Sequence, residues 1–335
     1  MLKYPQKEGG YFFMSNYKKI VVAGGGVLGS QIAFQAAYCG FDVTVWLRSE
    51  GSITRAKPKI DNLKKTYIDA LNLMVAAKEN DKEWCPGLAD FNSFDLNECL
   101  EKVENAYNNL KLELDMAKAL KDADLLIESM AENAEDKIAF YKKASEYLDE
   151  KTVVVTNSST LLPSMFAKYT KCPEKFLSMH FANSIWKNNV AEIMVQDKTD
   201  KLYFDEIVDF ANSIRMLALP VLKEKSGYLL NSMLVPFLLS GLDLYANGIS
   251  DPQSIDLAWT KGTGAPKGPF KIFDTVGLTT ALNIVDQYQK VPGLFKPLLS
   301  KMMMPYNFKG MKEILEKYIA EGKLGMSTEI GRAHV

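Results

Sequence analysis

Histidine occurs twice in the 335 residues of this chain, and one copy, His334, stands in the terminal tail. The other, His180, ends the apolar run 176–179 and is followed by Phe181, Ala182 and Asn183. An imidazole takes up and returns a proton near neutral pH, which is the service a carbinol needs when hydride leaves its carbon. A lone histidine beside apolar residues is also the pattern of a hydrogen-bonded core residue, so His180 by itself decides nothing. The second group of interest is a glycine turn. Gly24, Gly26 and Gly29 form G-x-G-x-x-G, with Val27 and Leu28 between the last two. In such a turn the first glycine permits the tight bend and the second lets backbone amides approach a pyrophosphate. The third lets the following helix pack closely, so that its N-terminus faces the phosphates.

These groups need particular elements to hold them, and the chain has the pattern for those elements. Residues 19–23 read as a strand, 27–39 as a helix stopped by Gly40, and 43–47 as a second strand, which completes a strand-helix-strand unit around the glycines. The stretch 49–120 is charged and mostly helical in pattern, with Pro58, Pro86 and Gly87 as expected breaks. Strands and helices then alternate. Strands are expected at 124–127, 153–156, 176–180, 193–195 and 217–222, and helices at 136–148 and 204–216. Alternation of this kind predicts a largely parallel sheet with helices on both faces, a Rossmann-type doubly wound α/β fold. Past Gly227 the apolar spacing is helical throughout, at 228–246, 252–259, 270–289 and 311–320, which predicts an all-α C-terminal domain. The expected organisation is a dinucleotide-binding domain over 17–222 and a helical substrate and dimerisation domain over 223–328. An extension over 1–16 is expected to precede them, and EIGRAHV, 329–335, is expected to be a non-native tail.

Composition narrows the function classes. A formal net charge of -1 gives no electrostatic footprint for nucleic acid or an anionic membrane, and neither is expected as a partner. The longest apolar candidate for a membrane span, 229–244, is interrupted by Asn231, Pro236 and Asp243. Cys39, Cys85, Cys99 and Cys172 are too scattered for a zinc site or a small disulfide framework, so no metal is expected and a reduced cytoplasm suits the chain. About twenty residues past the glycine turn, an acidic side chain ordinarily bonds the ribose hydroxyls. Leu47 and Arg48 stand there instead. With no carboxylate to repel a 2′-phosphate, and with Arg48 and Ser49 to bind one, NADP is expected over NAD. The competing reading leaves Arg48 in solvent and has Glu50 reach back to the ribose.

From residue 19 to about 281 the chain resembles the 3-hydroxyacyl-CoA dehydrogenase family, including its bacterial 3-hydroxybutyryl-CoA members. The resemblance rests on GGGVLGSQIA, DLLIESMAEN, TNSSTL, MHFANS, GYLLNSMLVPFL and KGPFKIFDTVGL, in that order. It implies that His180 is the acid/base and that Glu192, twelve residues on, pairs with its imidazole. A carboxylate in that place fixes the ring tautomer and stabilises the imidazolium. It also implies that Ser159, from the family's NTSS segment, and Asn231, from its GF-x-x-N segment, bond the reacting oxygen. Glu132 and Lys137 match positions that contact the cofactor. A homodimer and a small acyl-CoA substrate follow from the same likeness.

The chain also departs from the family. HFFNP becomes His180-Phe181-Ala182-Asn183-Ser184, so the wall near the acyl group is changed. The family's CoA-phosphate positions lie in the helical stretch after the second strand, which is longer and differently arranged here; Lys57, Lys59, Lys64 and Lys65 could serve, but a solvated lysine face explains them at least as well, and they are left unassigned. The expected function is hydride transfer between a nicotinamide cofactor and C3 of a short 3-hydroxyacyl or 3-ketoacyl thioester. A dehydrogenase of free 3-hydroxy acids or sugar acids, and a cofactor-binding protein without catalysis, are the alternatives.

Overall fold

The computed structural model describes residues 15–79, 81–289 and 306–325. The expected tail, His334 included, lies outside the described residues, as does all but the end of the expected extension. The chain divides into two compact units, 1–229 and 230–335.

In the first unit, β1 (Lys19–Ala23), β2 (Asp42–Trp46), β3 (Lys111–Glu113), β4 (Leu125–Glu128), β5 (Val153–Thr156), β6 (Phe176–Phe181), β7 (Val190–Met194) and β8 (Leu217–Val221) form one sheet of eight strands. The spatial order is β3-β2-β1-β4-β5-β6-β7-β8. The first six strands run parallel, β7 is antiparallel to β6, and β8 is parallel to β7. Side chains alternate across the sheet: Ile20, Val22, Leu125, Ile127, Val153 and Val155 enter one core layer, while Val21, Ala23, Leu126 and Val154 enter the other. Both faces are covered, which is why these strands are apolar runs rather than alternating ones. Strand order reverses direction beside β1, and in open α/β sheets ligands bind in the crevice outside the carboxyl ends at such a point.

Helix α1 (Val27–Tyr38) follows the glycine turn, and α2 (Glu50–Met74) and α3 (Leu96–Asn109) lie in the charged stretch before β3. Pro58 does not break α2, contrary to expectation; it sits inside a helix of 25 residues. The helix loses one backbone bond there, at a cost of about 3 kcal/mol. Against that it buries Ala56, Ile60, Leu63, Tyr67, Leu71 and Met74 at helical spacing, and each large apolar side chain contributes roughly 1.5–3 kcal/mol. Tertiary packing therefore outweighs local propensity. The short strand β3 was not expected either. Helices α4 (Met116–Leu120), α5 (Ala134–Ala144) and α6 (Lys201–Ser213) complete the unit. Asp115, Asn133 and Asp200 cap their first turns.

The second unit is helical among its described residues: α7 (Leu230–Ala246), α8 (Pro252–Thr263), α9 (Pro269–Val276), α10 (Leu278–Gln289) and α11 (Phe308–Ala320). The single helix expected over 270–289 is two, because Gly277 adopts φ +92 between them. The buried carboxylate of Asp256 accepts the N–H groups of Phe270 and Lys271 at the start of α9. A Cβ at Gly241 would stand 2.6 Å from the Pro269 ring, so only glycine lets α7 and α9 approach this closely.

Candidate active site

The two-residue period of the strands carries a row of polar side chains onto one face of the first unit's sheet. Glu128 ends β4 and is registered with Thr156, Thr156 with Ser178, and His180 with Glu192. All five are buried. His180 and Glu192 are direct cross-strand partners in the antiparallel β6–β7 pair, so their side chains leave the sheet on the same side. His180 Nδ1 lies 2.9 Å from Glu192 Oε2. The other carboxylate oxygen accepts the Leu229 N–H at 2.8 Å. This arrangement puts the proton on Nδ1 and leaves Nε2 as the basic nitrogen.

Beside this pair, Ser159 belongs to a loop gathered around one carboxylate. Glu132 Oε1 accepts from Ser158 Oγ at 2.5 Å and from Thr160 through both N, at 2.8 Å, and Oγ1, at 2.9 Å. Ser159 Oγ is 3.5 Å from the same oxygen. Burial raises the Glu132 pKa, but these bonds and the nearby Lys137 ammonium outweigh it, and the carboxyl is held below its ordinary value. Asn157 ties the loop to two strand ends, accepting the Phe181 N–H at 3.1 Å and donating to Ser129 Oγ at 3.1 Å. Both Glu132 and Ser159 came from sequence reasoning, but Glu132 here grips the serine loop. Lys137 is 1% exposed, its ammonium 2.6 Å from Glu128 and 3.6 Å from Glu132. Its ammonium is thus held between the two carboxylates.

Sequence reasoning missed Glu128. Its carboxylate is fully buried and receives four donors: Lys137 Nζ at 2.6 Å, Met130 N at 2.7 Å, Tyr141 Oη at 2.9 Å and Thr156 Oγ1 at 2.7 Å. A buried carboxylate is tolerable only when paired and hydrogen-bonded in this way. The available signal was a charge closing an otherwise apolar strand. Tyr228 was missed as well. Its ring stacks on the His180 imidazole with centroids 4.6 Å apart and planes at 22°. Asn231 is the second residue of α7, in the second unit, and is partly buried.

The glycine turn has the shape a dinucleotide requires. Gly24 takes φ +114, which favours glycine, and a Cβ at Gly29 would stand 2.2 Å from Gly24 O. Those two glycines have reasons within the protein. Gly26 has none: its φ is -67, and a Cβ there would meet no atom of the described residues within 4 Å. It caps α1 without any side chain to bond the first-turn N–H groups, around Val27 and Leu28. Bare amides at an open helix N-terminus fit a bound pyrophosphate. Arg48 is exposed and lines a cavity of about 460 Å³ together with Trp46, Met130, Asp136, Phe140 and Lys143. Glu50 lies in the first turn of α2. Among the described residues no group of His, Cys, Asp and Glu could hold a metal ion, and no helix is long and apolar enough to cross a membrane.

Residues 19–225 match the 3-hydroxyacyl-CoA dehydrogenase NAD binding domain, and 227–333 match the 3-hydroxyacyl-CoA dehydrogenase C-terminal domain. The human mitochondrial hydroxyacyl-coenzyme A dehydrogenase is 27% identical over 317 residues, which is 94% of this chain and 90% of that one. A 3-hydroxybutyryl-CoA dehydrogenase from Clostridioides difficile is 29% identical over 289 residues, 85% of this chain and 93% of that one. The solved structure of a diketoreductase described as acting on dicarbonyl compounds is 39% identical, with a TM-score of 0.78 over 95% of this chain and 99% of that chain. The chain belongs to the 3-hydroxyacyl-CoA dehydrogenase family and is a nicotinamide-dependent oxidoreductase.

Proposed function

We propose that the protein interconverts the 3-hydroxy and 3-keto forms of a short acyl-CoA, with His180 as the acid/base. The observation that carries this reading is the buried cross-strand pair, His180 Nδ1 to Glu192 Oε2 at 2.9 Å. A bound nicotinamide dinucleotide supplies or accepts the hydride at C3. His180 Nε2 takes the hydroxyl proton as the carbinol becomes a ketone and returns it in reduction. Glu192 stabilises the imidazolium so formed. Ser159 is a donor to the reacting oxygen, and the family resemblance alone assigns the same role to Asn231, at the start of the second unit. Gly24, Gly26, Val27, Leu28 and Gly29 hold the pyrophosphate, with Glu132 near the cofactor and Lys137 behind it.

For the cofactor, NADP is the reading the charges favour. The end of β2 offers Arg48 and no carboxylate up to Ser49. Ser49 opens α2, yet its hydroxyl caps no N–H; it lies 3.0 Å from Ser52 Oγ, which accepts from Arg55 at 3.1 Å. Two guanidinium groups and two hydroxyls suit a 2′-phosphate. Reduction of the ketone is then the working direction. We also infer a homodimer built on the helical unit, which exposes Met233, Leu244, Leu257 and Trp259. A reducing compartment such as the cytoplasm suits four cysteines that are all free thiols.

A second reading, a dicarbonyl substrate without CoA, draws on the diketoreductase likeness and on Ser184, whose φ of +58 no proline could adopt. The loop where the family has Asn-Pro therefore follows another path here. The test is a spectrophotometric panel of acetoacetyl-CoA, free acetoacetate and a non-thioester diketo ester, each with NADH and NADPH. Turnover of the thioester alone supports the first reading, and turnover of the diketo ester alone replaces it. Strict use of NADH overturns the role of Arg48. A His180→Gln variant should lose about 10²–10⁴ in kcat, and full turnover would remove the assigned base. Sedimentation as a monomer would reject the dimer.

A further inference from the structure

Tyr228 lies outside every role assigned so far, and its surroundings are unusual. It is fully buried, although the turn that carries it sits between Gly227, at φ +80, and the exposed Leu229. Its own φ is +50, a left-handed conformation that bulky aromatic residues seldom adopt. Non-glycine backbone of this kind persists only where the surroundings over-determine it. Here they do so through three contacts. The ring lies nearly flat on the His180 imidazole, at 4.6 Å between centroids. The hydroxyl donates to Ser158 O at 2.8 Å, the carbonyl of the peptide that leads into Ser159. The next N–H along the chain, that of Leu229, donates to Glu192 Oε1 at 2.8 Å. The strained turn therefore reaches the base, the carboxylate partner of the base and the serine loop at once.

We propose that Tyr228 is a positioning residue of the proton-transfer site: its ring sets the plane of His180, its hydroxyl sets the carbonyl before Ser159, and its backbone brings an N–H to Glu192. The inference rests on the reading of His180 as acid/base. Burial, first, and then the neighbouring carboxylates push the phenol pKa up, so Tyr228 stays protonated and does not exchange protons itself. The family's segment reads Gly-Phe at this place and this chain reads Gly227-Tyr228, so the stack is open to both residues and the hydroxyl tether only to tyrosine.

The hydroxyl and the ring can be removed separately. Tyr228→Phe keeps the stack and loses one hydrogen bond, so kcat should fall by about two- to tenfold with cofactor KM unchanged. Tyr228→Leu removes the stack, and kcat should fall by about 10²-fold, the cost of a displacement of about 1 Å at the reacting centre. The spectroscopic readout is the carbon-bound ring protons of His180 in protein labelled at histidine, assigned by their loss in His180→Gln. A stacked phenol shifts them upfield in the wild type and in Tyr228→Phe, and the shift should vanish in Tyr228→Leu. A folded Tyr228→Leu with full kcat, or a wild-type spectrum without the upfield shift, overturns the proposal. Should the leucine variant fail to fold, the wild-type shift and the phenylalanine variant decide: an unshifted spectrum, or a Tyr228→Phe enzyme with unaltered kcat, removes the stack or the tether respectively. His180→Gln separates the two levels. If that variant turns over normally the acid/base reading fails, whereas an inactive His180→Gln beside a fully active Tyr228→Leu sinks only the role of Tyr228.

Discussion

Replacing Glu192 by glutamine tests the proton-transfer pair with the least disturbance of shape. The side chain is buried, and the β6–β7 register fixes its backbone opposite His180. Glutamine can keep the bond to the Leu229 N–H through its carbonyl oxygen, which turns its NH₂ toward His180 Nδ1. That nitrogen must then accept, so the ring carries its proton on Nε2 and cannot take one from a carbinol. The variant also loses the attraction between carboxylate and imidazolium. With Nδ1 and Oε2 2.9 Å apart the charge centres are about 4 Å apart, and at an effective dielectric near 20 the attraction is about 4 kcal/mol. A barrier raised by that much slows the reaction by about 10³-fold. The assay is the change in nicotinamide absorbance under saturating substrate and cofactor, with circular dichroism to establish folding. The double variant with His180→Gln should be no slower than His180→Gln alone, since the two residues act as one unit. A folded Glu192→Gln enzyme within about threefold of wild-type kcat would refute the argument, because neither the tautomer nor the charge would then matter.

The glycine turn predicts opposite behaviour for two similar changes. Gly29→Ala should destabilise the fold by about 1–3 kcal/mol through the clash with Gly24 O, read by thermal melting; Gly26→Ala should leave the melting temperature alone and raise cofactor KM by about tenfold, or about 1.4 kcal/mol. Ser184→Pro should cost about 3 kcal/mol or more and lower the melting temperature by several degrees, since φ +58 is closed to proline and the Ser184 N–H bond to Gln31 is lost; an unchanged melting curve would mean the loop takes another path. Glu132 is held below its ordinary value of 4.5, so it stabilises the fold fully above that pH and ceases to do so as pH falls through the lowered value. The melting-temperature gap between wild type and Glu132→Gln should accordingly be open at neutral pH and close in acid, and a gap that widened in acid would reverse the sign of the reasoning. Lys137→Met should destabilise by about 3–5 kcal/mol, because it leaves the fully buried Glu128 carboxylate without its cation.

What was legible in the sequence depended on the range of the interaction. The unit around Gly24, Gly26 and Gly29 is local: an apolar strand, a turn and a helix within 19–46, each with its own periodicity. Pro58 misled because its helix is held by residues spread over about four further turns, whose burial no local rule weighs. The strand β3 has a single apolar residue, Leu112, among its three, and it exists because the edge of β2 accepts it as a neighbour. Glu128 is visible as a charge at the end of an apolar run, but its partners Lys137 and Tyr141 reach it only when α5 folds back along the sheet. Tyr228 is further still from sequence logic, since its partners lie 48 and 70 residues earlier in the chain and meet it only in the folded unit.

The altered loop after His180 shows why a departure from a family pattern is best read as a packed set. Ser184 takes the left-handed conformation and turns its N–H to Gln31 on α1, and the loop then carries Trp186 onto the ring of Tyr67 on α2, at 5.5 Å between centroids. Gly87 donates to Trp186 O, and any side chain there would collide with the carbonyls of Ile185 and Trp186 at 2.8 and 2.7 Å. Proline at 184 would remove the turn, a larger residue at 87 would lift the loop, and loss of the Tyr67 ring would take away the tilted ring the indole packs against. Restoring a proline at 184 in this chain would therefore not restore the family's wall. The loop, the segment at 87 and α2 would have to change together.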